Sequence, residues 1–568
     1  MFVFYDFEVF KYDWLVVLIE MPDMKVTKIH NDSKEFAEFC ERTRNAIWVG
    51  YNNTHYDVFI KKAILLGINP KEVNDRIIGG EKGWEISREF NNISTIEYDT
   101  MLPMRGLKQL EGYQGKNIFE TNVPFDINRP LTTEELNLTF DYCYNDVVET
   151  INVFMNNKTE FDAHMSLIKT FKLPIKNLAK TKAQLSALIL GCSRKEFKDE
   201  WDIQIVDTLR LIKYDYVREW FLNNRGEYNN KLTTEINGIP HVFGWGGIHG
   251  AIKQYHSKGL LLHVDVNSYY PALMIEYDFL TRTVRNKDKF RDIRDTRIEY
   301  KKAKDPRQAP YKIVINSTYG ISKDKYNIAY DPRQANNVCV NGQLLLLDLI
   351  EHAESVRGCK LIQSNTDGLI YELEDERAKK HLLEVCHEWE ERTRMGLGYD
   401  DIDEIWQKDV NNYIFRFSNG KLERKGGYVK ELTPFDYDLP IVNIALVDYM
   451  TKGVDVETTI KNHTKLIDYQ KIVKLSNKYE FVEHDNKRYF NKSYRVFAVK
   501  NNMEGDNKIY KCKTVDGLVT RHKFANTPND CVIINGDITS MTIHDVVNFD
   551  TQYYIDVSKK RLKEFGVI

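Results

Sequence analysis

Asp6 and Glu8 alternate within an apolar segment at the start of the chain, so on a strand they share one face. Two carboxylates turned toward the same apolar side are costly unless a cation holds them. The segment Gly50-Tyr-Asn-Asn-Thr-His-Tyr-Asp57 adds Asn53 and Asp57. Tyr142 and Asp146 are four residues apart, which puts them on one face of a helix. Asp6, Glu8, Asp57 and Asp146 can together hold two divalent metal ions, with Tyr142 orienting an attacking water. That is the set needed for two-metal phosphodiester hydrolysis, in which the ions stabilise the entering and leaving oxygens. Any one pair alone reads better as surface acids at the ends of elements. The three pairs together, in this order, favour the metal site.

A second group lies in the middle of the chain. The apolar run Leu260-Leu-Leu-His-Val264 delivers Asp265 to a strand end, as a metal-ligand candidate, and Tyr270 follows as an aromatic wall for a bound sugar. In Lys312-Ile-Val-Ile-Asn316-Ser-Thr-Tyr319-Gly320, a helix places 312, 316 and 319 on one face. Lys, Asn and Tyr there suit a phosphate contact, a hydrogen bond and a stacking surface; Gly320 lets a base pair approach the backbone. Residues 285–312 hold eleven Lys/Arg and five Asp/Glu, a net of +6, with Arg297 and Lys301 in phase. A solvated helix face is the ordinary fate of such a run, but the adjoining Lys312 motif favours phosphate binding. Finally, Gln363-Ser-Asn365-Thr-Asp367-Gly368 reads as a strand and a turn, with Gly368 tolerating positive φ. If that hairpin lies beside the Asp265 strand, Asp265 and Asp367 meet and can clamp two Mg²⁺ ions.

The elements that must position these residues are readable in outline. Phe2–Phe7 and Trp14–Glu20 predict strands, Ser33–Ala46 and Asp57–Leu66 helices, and Thr132-Thr-Glu-Glu135 a capped helix start. The stretch 155–240 reads as mostly helical, 285–320 as two helices broken at Asp305-Pro306, and 333–356 as a helix. The echoed Asp-Pro-Arg-Gln-Ala at 305–309 and 331–335 reads as two helix starts, Asp as N-cap and Pro at the first helical position.

The chain has 568 residues, room for three to four domains. Its net charge of -3 excludes a globally basic coat protein, so any nucleic-acid contact comes from local patches. No apolar run approaches the roughly 20 residues of a membrane span, and the start Met1-Phe-Val-Phe-Tyr-Asp6 is unlike a signal peptide. The eight cysteines form no C-x-x-C pair, which predicts reduced thiols in a cytoplasm and neither a zinc ribbon nor a disulfide framework.

Taken together, the motifs resemble family B DNA polymerases with a 3′–5′ exonuclease, over residues 1 to about 430. Asp6-Phe-Glu8, Asn53-x-x-x-Asp57 and Tyr142-x-x-x-Asp146 are similar to the three exonuclease motifs. Asp265–Pro271, Lys312–Gly320 and Asn365–Gly368 are similar to polymerase motifs A, B and C. The resemblance implies an α/β multidomain fold: a ribonuclease-H-like exonuclease (1–154), a helical connector (155–240), and a right-hand polymerase. The latter has a palm (241–284 and 321–440), fingers (285–320) and a thumb (441–568). It implies Asp265, Val266 and Asp367 at the polymerase metals and Asp6, Glu8, Asp57 and Asp146 at the exonuclease metals. Each pair of ions would be Mg²⁺, with Mn²⁺ able to substitute. Tyr270 would be the steric gate against the ribose 2′-hydroxyl, and Arg297, Lys301, Lys312 and Asn316 would bind the dNTP. Asn53, Tyr319, Gly320, Gly246, Gly247, Tyr413, Lys421 and Lys425 would contact DNA. The implied partners are primer–template DNA, dNTPs and other replisome proteins, with no membrane, in the cytoplasm of a host cell if the gene is a phage's.

Four departures from the family pattern matter. Motif C, usually Asp-Thr-Asp-Ser, here has Asn365 and Gly368; the usual Tyr-x-Gly-Gly appears as Gly244-Trp-Gly-Gly247; and Lys-x-Tyr appears as Asn411-Asn-Tyr413. Only about forty residues separate Pro271 from Lys312, so the large insertion of protein-primed phage members is missing. Compact size implies a phage or mobile-element replicase. Residues 461–500 hold ten Lys/Arg and four Asp/Glu, interleaved with Tyr479, Phe481, Tyr489, Phe490, Tyr494 and Phe497, either a thumb gripping duplex phosphates or a basic surface over an aromatic core. The leading expectation is a proofreading DNA polymerase. The altered motif C keeps open a 3′–5′ exonuclease with a degenerate polymerase half. A non-catalytic binding scaffold has no use for clustered acids beside phosphate.

Overall fold

Alternation along the first strand sets the architecture around it. In β1 (Phe2–Val9), Val3, Tyr5, Phe7 and Val9 pack into one apolar cluster with Phe36, Trp48 and Phe59. Phe4 faces the opposite cluster, with Cys143, Val147 and Phe154 of the helix Thr133–Asn156. Asp6 and Glu8 continue the Phe4 face, so the period of two aims both carboxylates at that helix. The strand is central in a mixed sheet of order β3-β2-β1-β4-β5, with β2 Trp14–Met21, β3 Lys25–His30, β4 Ile47–Gly50 and β5 Glu97–Asp99. Pairing is antiparallel to β2 and parallel to β4. Thr132 caps the long helix reciprocally with Glu135, as its sequence predicts.

The computed structural model describes residues 1–121, 123–500 and 507–568. The fold is mixed α/β and multidomain, in two compact units. The first unit joins Met1–Ala179 to Leu432–Val442 and Glu457–Asp556; the second comprises Lys180–Glu431, Asn443–Val456 and Val557–Ile568. The span 441–568, expected as one thumb, is therefore divided between them. Its part in the first unit forms a three-stranded and a four-stranded sheet. There Tyr479, Phe481, Tyr494 and Phe497 are buried, whereas Phe490 is exposed. Among the described residues no helix is long and apolar enough to cross a membrane.

The second unit is built on a nine-stranded sheet of order β14-β13-β12-β9-β11-β10-β8-β7-β6. In chain order these are β6 Lys231–Ile236, β7 Ile239–Gly244, β8 His249–Ala251, β9 Tyr255–Val266, β10 Cys359–Asn365, β11 Gly368–Leu373, β12 Leu397–Asp409, β13 Asn412–Phe417 and β14 Leu422–Lys425. The helix Pro332–Ala353 is buried along nearly its whole length. The helices Tyr269–Glu276, Asp288–Lys302 and Gln308–Lys323 lie between β9 and that buried helix in the chain.

Three local expectations are corrected. The stretch 155–240 is helical only at the end of the Thr133–Asn156 helix and at Lys158–Thr170, Ile175–Ala179, Lys182–Ile189 and Asp215–Asn223; β6 and β7 form a hairpin instead. Its turn is Asn237-Gly238, both at positive φ, the pair that a two-residue hairpin loop favours. Asp331 caps its helix with Pro332 in the first turn, but the earlier echo starts its helix only at Gln308, because Asp305 caps the preceding turn through the Arg307 N–H. The helix expected at 33–46 ends at Arg42.

Candidate active sites

In the first unit, β1 supplies Asp6 and Glu8, the helix Asp57–Leu66 supplies Asp57 at its first position, and the helix Thr133–Asn156 supplies Tyr142 and Asp146. The Phe7 N–H donates to Asp57 Oδ1 at 3.3 Å, which ties Asp57 to the strand. The four carboxyl groups feel one another. Burial first, then Asp57, Glu8 and Asp146, push Asp6 far above the ordinary carboxylate range; Glu8 shifts the same way, from burial and then Asp146 and Asp57. Asp57 is pushed up to about 8, chiefly by burial, against the N–H donation from Phe7. Asp146 is raised by burial, with Lys108 opposing. Buried, mutually repelling oxygen donors of this kind suit a hard divalent cation.

Three neighbours of this cluster carry no motif. Lys108, on the helix Leu107–Tyr113, is ion-paired with Asp146 and lies 3.1 Å from Glu111 Oε1. Its ammonium also sits 4.5 Å from the centre of the Tyr142 ring. Glu111 accepts from Asn145 at 2.8 Å and is pushed up to about 7 by burial. The Cys143 thiol is within 4.8 Å of ligand oxygens of Asp6 and Glu8. Cys143 was findable, since it lies three residues before Asp146 on the same helix face; Lys108 had no such signal. Tyr142 hydrogen-bonds Asp146. Asn53, expected at the DNA, is fully buried: its amide donates to Glu97 at 3.1 Å and to the Tyr5 hydroxyl at 3.3 Å.

In the second unit the register of β9 and β11 pairs Asp265 with Gly368, and Val266 N–H donates to Asp367 C=O at 2.8 Å. The hairpin therefore does lie beside the Asp265 strand. Its turn differs from expectation. Thr366, not Gly368, takes positive φ (52°), and Asp367 N–H closes back on Asn365 C=O at 2.6 Å. Gly368 opens β11 and is needed for space: a Cβ there would meet His263 Nε2 at 2.8 Å. Burial, then Asp367, Asp400 and Glu423, push Asp265 up to about 6, with Lys301 opposing. Burial also raises Asp367, against His263 and Lys425. A cavity of about 250 Å³ opens here, lined by Asp265, Asp367, His263, Tyr413, Glu423 and Lys425 among others.

Around it, Tyr270 stacks obliquely on Tyr319, ring centres 4.5 Å apart, and its hydroxyl donates to Gly246 C=O at 3.5 Å. Gly247 lies against Thr366, where a Cβ would come within 3.2 Å of Oγ1. Arg297 is buried and donates to Ser268 Oγ at 2.8 Å, so its guanidinium braces the start of the Tyr269–Glu276 helix. Lys312 and Asn316 are exposed on one face of the helix Gln308–Lys323, and Gly320 has open space before it. Among the described residues Lys301 and Lys312 form no ion pair. Lys421 is exposed, on the loop before β14, and does not line the cavity. Trp245 is buried against Trp201, ring centres 4.8 Å apart, rather than displayed.

No protein-family model matches the chain, and no curated protein matches it. Among solved structures it is similar to the family B DNA polymerase of the hyperthermophilic archaeon Pyrobaculum calidifontis. The alignment covers 99% of this chain and 77% of that one, at 14% identity and a TM-score of 0.41.

Proposed function

We propose that the chain is a DNA-dependent DNA polymerase of the family B type with a proofreading 3′–5′ exonuclease. The observation that carries this reading is the pairing of β9 with β11, which brings Asp265 and Asp367, from motifs 102 residues apart in sequence, to one cavity, with Lys301 of the helix Asp288–Lys302 near enough to act on Asp265. The separate carboxylate set of the first unit supports the nuclease half.

In the polymerase reaction the primer 3′-hydroxyl loses its proton to solvent and attacks the α-phosphorus of a dNTP in line, forming the O3′–Pα bond as the bond to the β,γ phosphates breaks and pyrophosphate leaves. Mg²⁺ held by Asp265, Asp367 and the Val266 backbone would supply Lewis-acid activation and charge neutralisation, and Mn²⁺ offers the same chemistry. Lys301 and Lys312, free of internal ion pairs among the described residues, neutralise the triphosphate. Asn316 hydrogen-bonds it, and Arg297 holds the Ser268 turn. Tyr270, fixed against Tyr319, walls the sugar and excludes a 2′-hydroxyl. Gly320 and Gly246 leave the backbone open to the base pair, Gly247 packs against the Thr366 turn, and Tyr413 and Lys425 face the primer end. In the nuclease, Asp6, Glu8, Asp57 and Asp146 would hold the metal ions, and Lys108 holds Asp146 in place. Preorganised charge rather than covalent chemistry does the catalysis in both.

The test is a gel assay on a 5′-labelled primer–template with Mg²⁺, with and without dNTPs. Extension lost only in Asp265→Asn, and shortening lost only in Asp6→Ala, is the expected result. Asn365 favours one alternative, a nuclease with a degenerate polymerase half; shortening without extension in every condition would establish it.

A further inference from the structure

Arg495 is fully buried and, among the described residues, forms no hydrogen bond or ion pair with a carboxylate, Asp537 and Glu111 acting on it only at longer range, an unusual setting for a guanidinium. It makes five hydrogen bonds, all to neutral oxygens. Nε donates to Gln470 Oε1 (3.0 Å), and Nη1 to the C=O of Ile534 (3.2 Å) and Gly536 (2.6 Å). Nη2 donates to the C=O of Gly112 (3.1 Å) and Lys116 (2.6 Å). Gln470 in turn donates from Nε2 to Tyr113 C=O at 3.0 Å. Gly112, Tyr113 and Lys116 are at and just past the end of the helix Leu107–Tyr113.

The carbonyls at a helix C-terminus have no partner within the helix, and a cation there also complements the helix dipole. This helix has only seven residues, too few to be stable by itself in water. Its start presents Lys108 to Asp146, and Glu111 one turn later holds Lys108 at 3.1 Å and Asn145 at 2.8 Å. Packing reinforces the clamp: Ile472 would lie 3.1 Å from a Cβ at Gly112, and Ile538 N–H donates to Gly115 C=O at 2.8 Å. All these residues belong to the first unit.

We propose that Arg495 and Gln470 are positioning residues of the nuclease site, acting through Lys108. The C-terminal part of the chain is then a working component of the nuclease and not solely a nucleic-acid grip. This rests on the exonuclease reading above. It predicts that residues 1–154 alone do not carry the full activity.

The experiment measures Mg²⁺-dependent shortening of 5′-labelled single-stranded DNA by the full chain. The proteins are wild type, Arg495→Lys, Gln470→Leu, Lys108→Ala, and the doubles that join each of the first two to Lys108→Ala. Arg495→Lys keeps the charge and loses the fork that spans Gly112 and Lys116. The expected result is a fall in kcat on the order of ten- to a hundredfold with little change in KM, as for a misplaced catalytic group. Each double should be no slower than Lys108→Ala alone, because an effect that runs through Lys108 cannot be lost twice. Effects that multiply in the doubles, or kcat values of both single variants equal to wild type, overturn the proposal. Gln470→Leu carries the test if Arg495→Lys does not fold, as judged by its melting curve. If wild type itself fails to shorten DNA, the exonuclease reading fails instead.

Discussion

Restoring the family's usual serine at position 368 should harm this protein. A Cβ at 368 would come within 2.8 Å of His263 Nε2 and 3.6 Å of Asp265 Oδ1. Ordinary van der Waals contact begins near 3.4 Å, so the imidazole must retreat by about 0.6 Å. It is flanked on its sheet face by Ile370, its direct cross-strand partner, and by Asp265 two residues on. Overpacking of this kind typically costs about 1–3 kcal/mol. The displacement falls beside both polymerase carboxylates, and catalytic misplacement of about 1 Å can cost on the order of a hundredfold. Gly368→Ser is therefore expected to lower single-nucleotide extension by roughly tenfold or more, with shortening of single-stranded DNA unchanged. His263→Ala in the same chain should recover most of the loss by vacating the space. Wild-type extension in Gly368→Ser, or a double variant no better than the single, would refute the reasoning that Gly368 and His263 form one steric unit.

Asn365→Asp adds a negative charge beside Asp367, and half-maximal extension should then need less Mg²⁺; an unchanged Mg²⁺ titration would count against a metal-side role for position 365. Tyr270→Ala removes the wall braced by Tyr319 and should raise ribonucleotide relative to deoxyribonucleotide incorporation by about tenfold or more, read from paired kcat/KM values. Asp57 has its folded-state pKa raised to about 8, so the folded chain holds that proton more tightly than the unfolded one. Its contribution is fully present below the unfolded value of about 3.9 and is lost as pH rises toward about 8. In metal-free buffer Asp57→Asn should therefore melt increasingly above wild type from pH 5 to pH 8, and a gap that shrinks over that range would show the sign to be wrong.

What could be read from the sequence is what local periodicity controls. The alternation of Phe4, Asp6 and Glu8 and the spacing of Tyr142 and Asp146 fixed which faces the acids occupy, and the sheet and helix present them so. The hairpin at Asn365–Gly368 was legible as a turn, but the reason for its glycine was not, because that reason is the ring of His263 on another strand. The Asn237-Gly238 hairpin was legible and passed over, its alternating flanks submerged in a stretch read as helical. Charge counting failed in a more general way. In sequence Arg495 is one of ten basic residues in 461–500 that read either as a phosphate grip or as a solvated basic surface, and Arg297 is one of eleven in 285–312. Both guanidiniums are buried on internal acceptors. The acceptors of Arg495 include a carbonyl 379 positions away in the chain, beyond the reach of any local pattern. A basic stretch therefore overstates its phosphate-binding surface by every cation that the fold uses to hold itself together, and only the three-dimensional partners separate the two kinds.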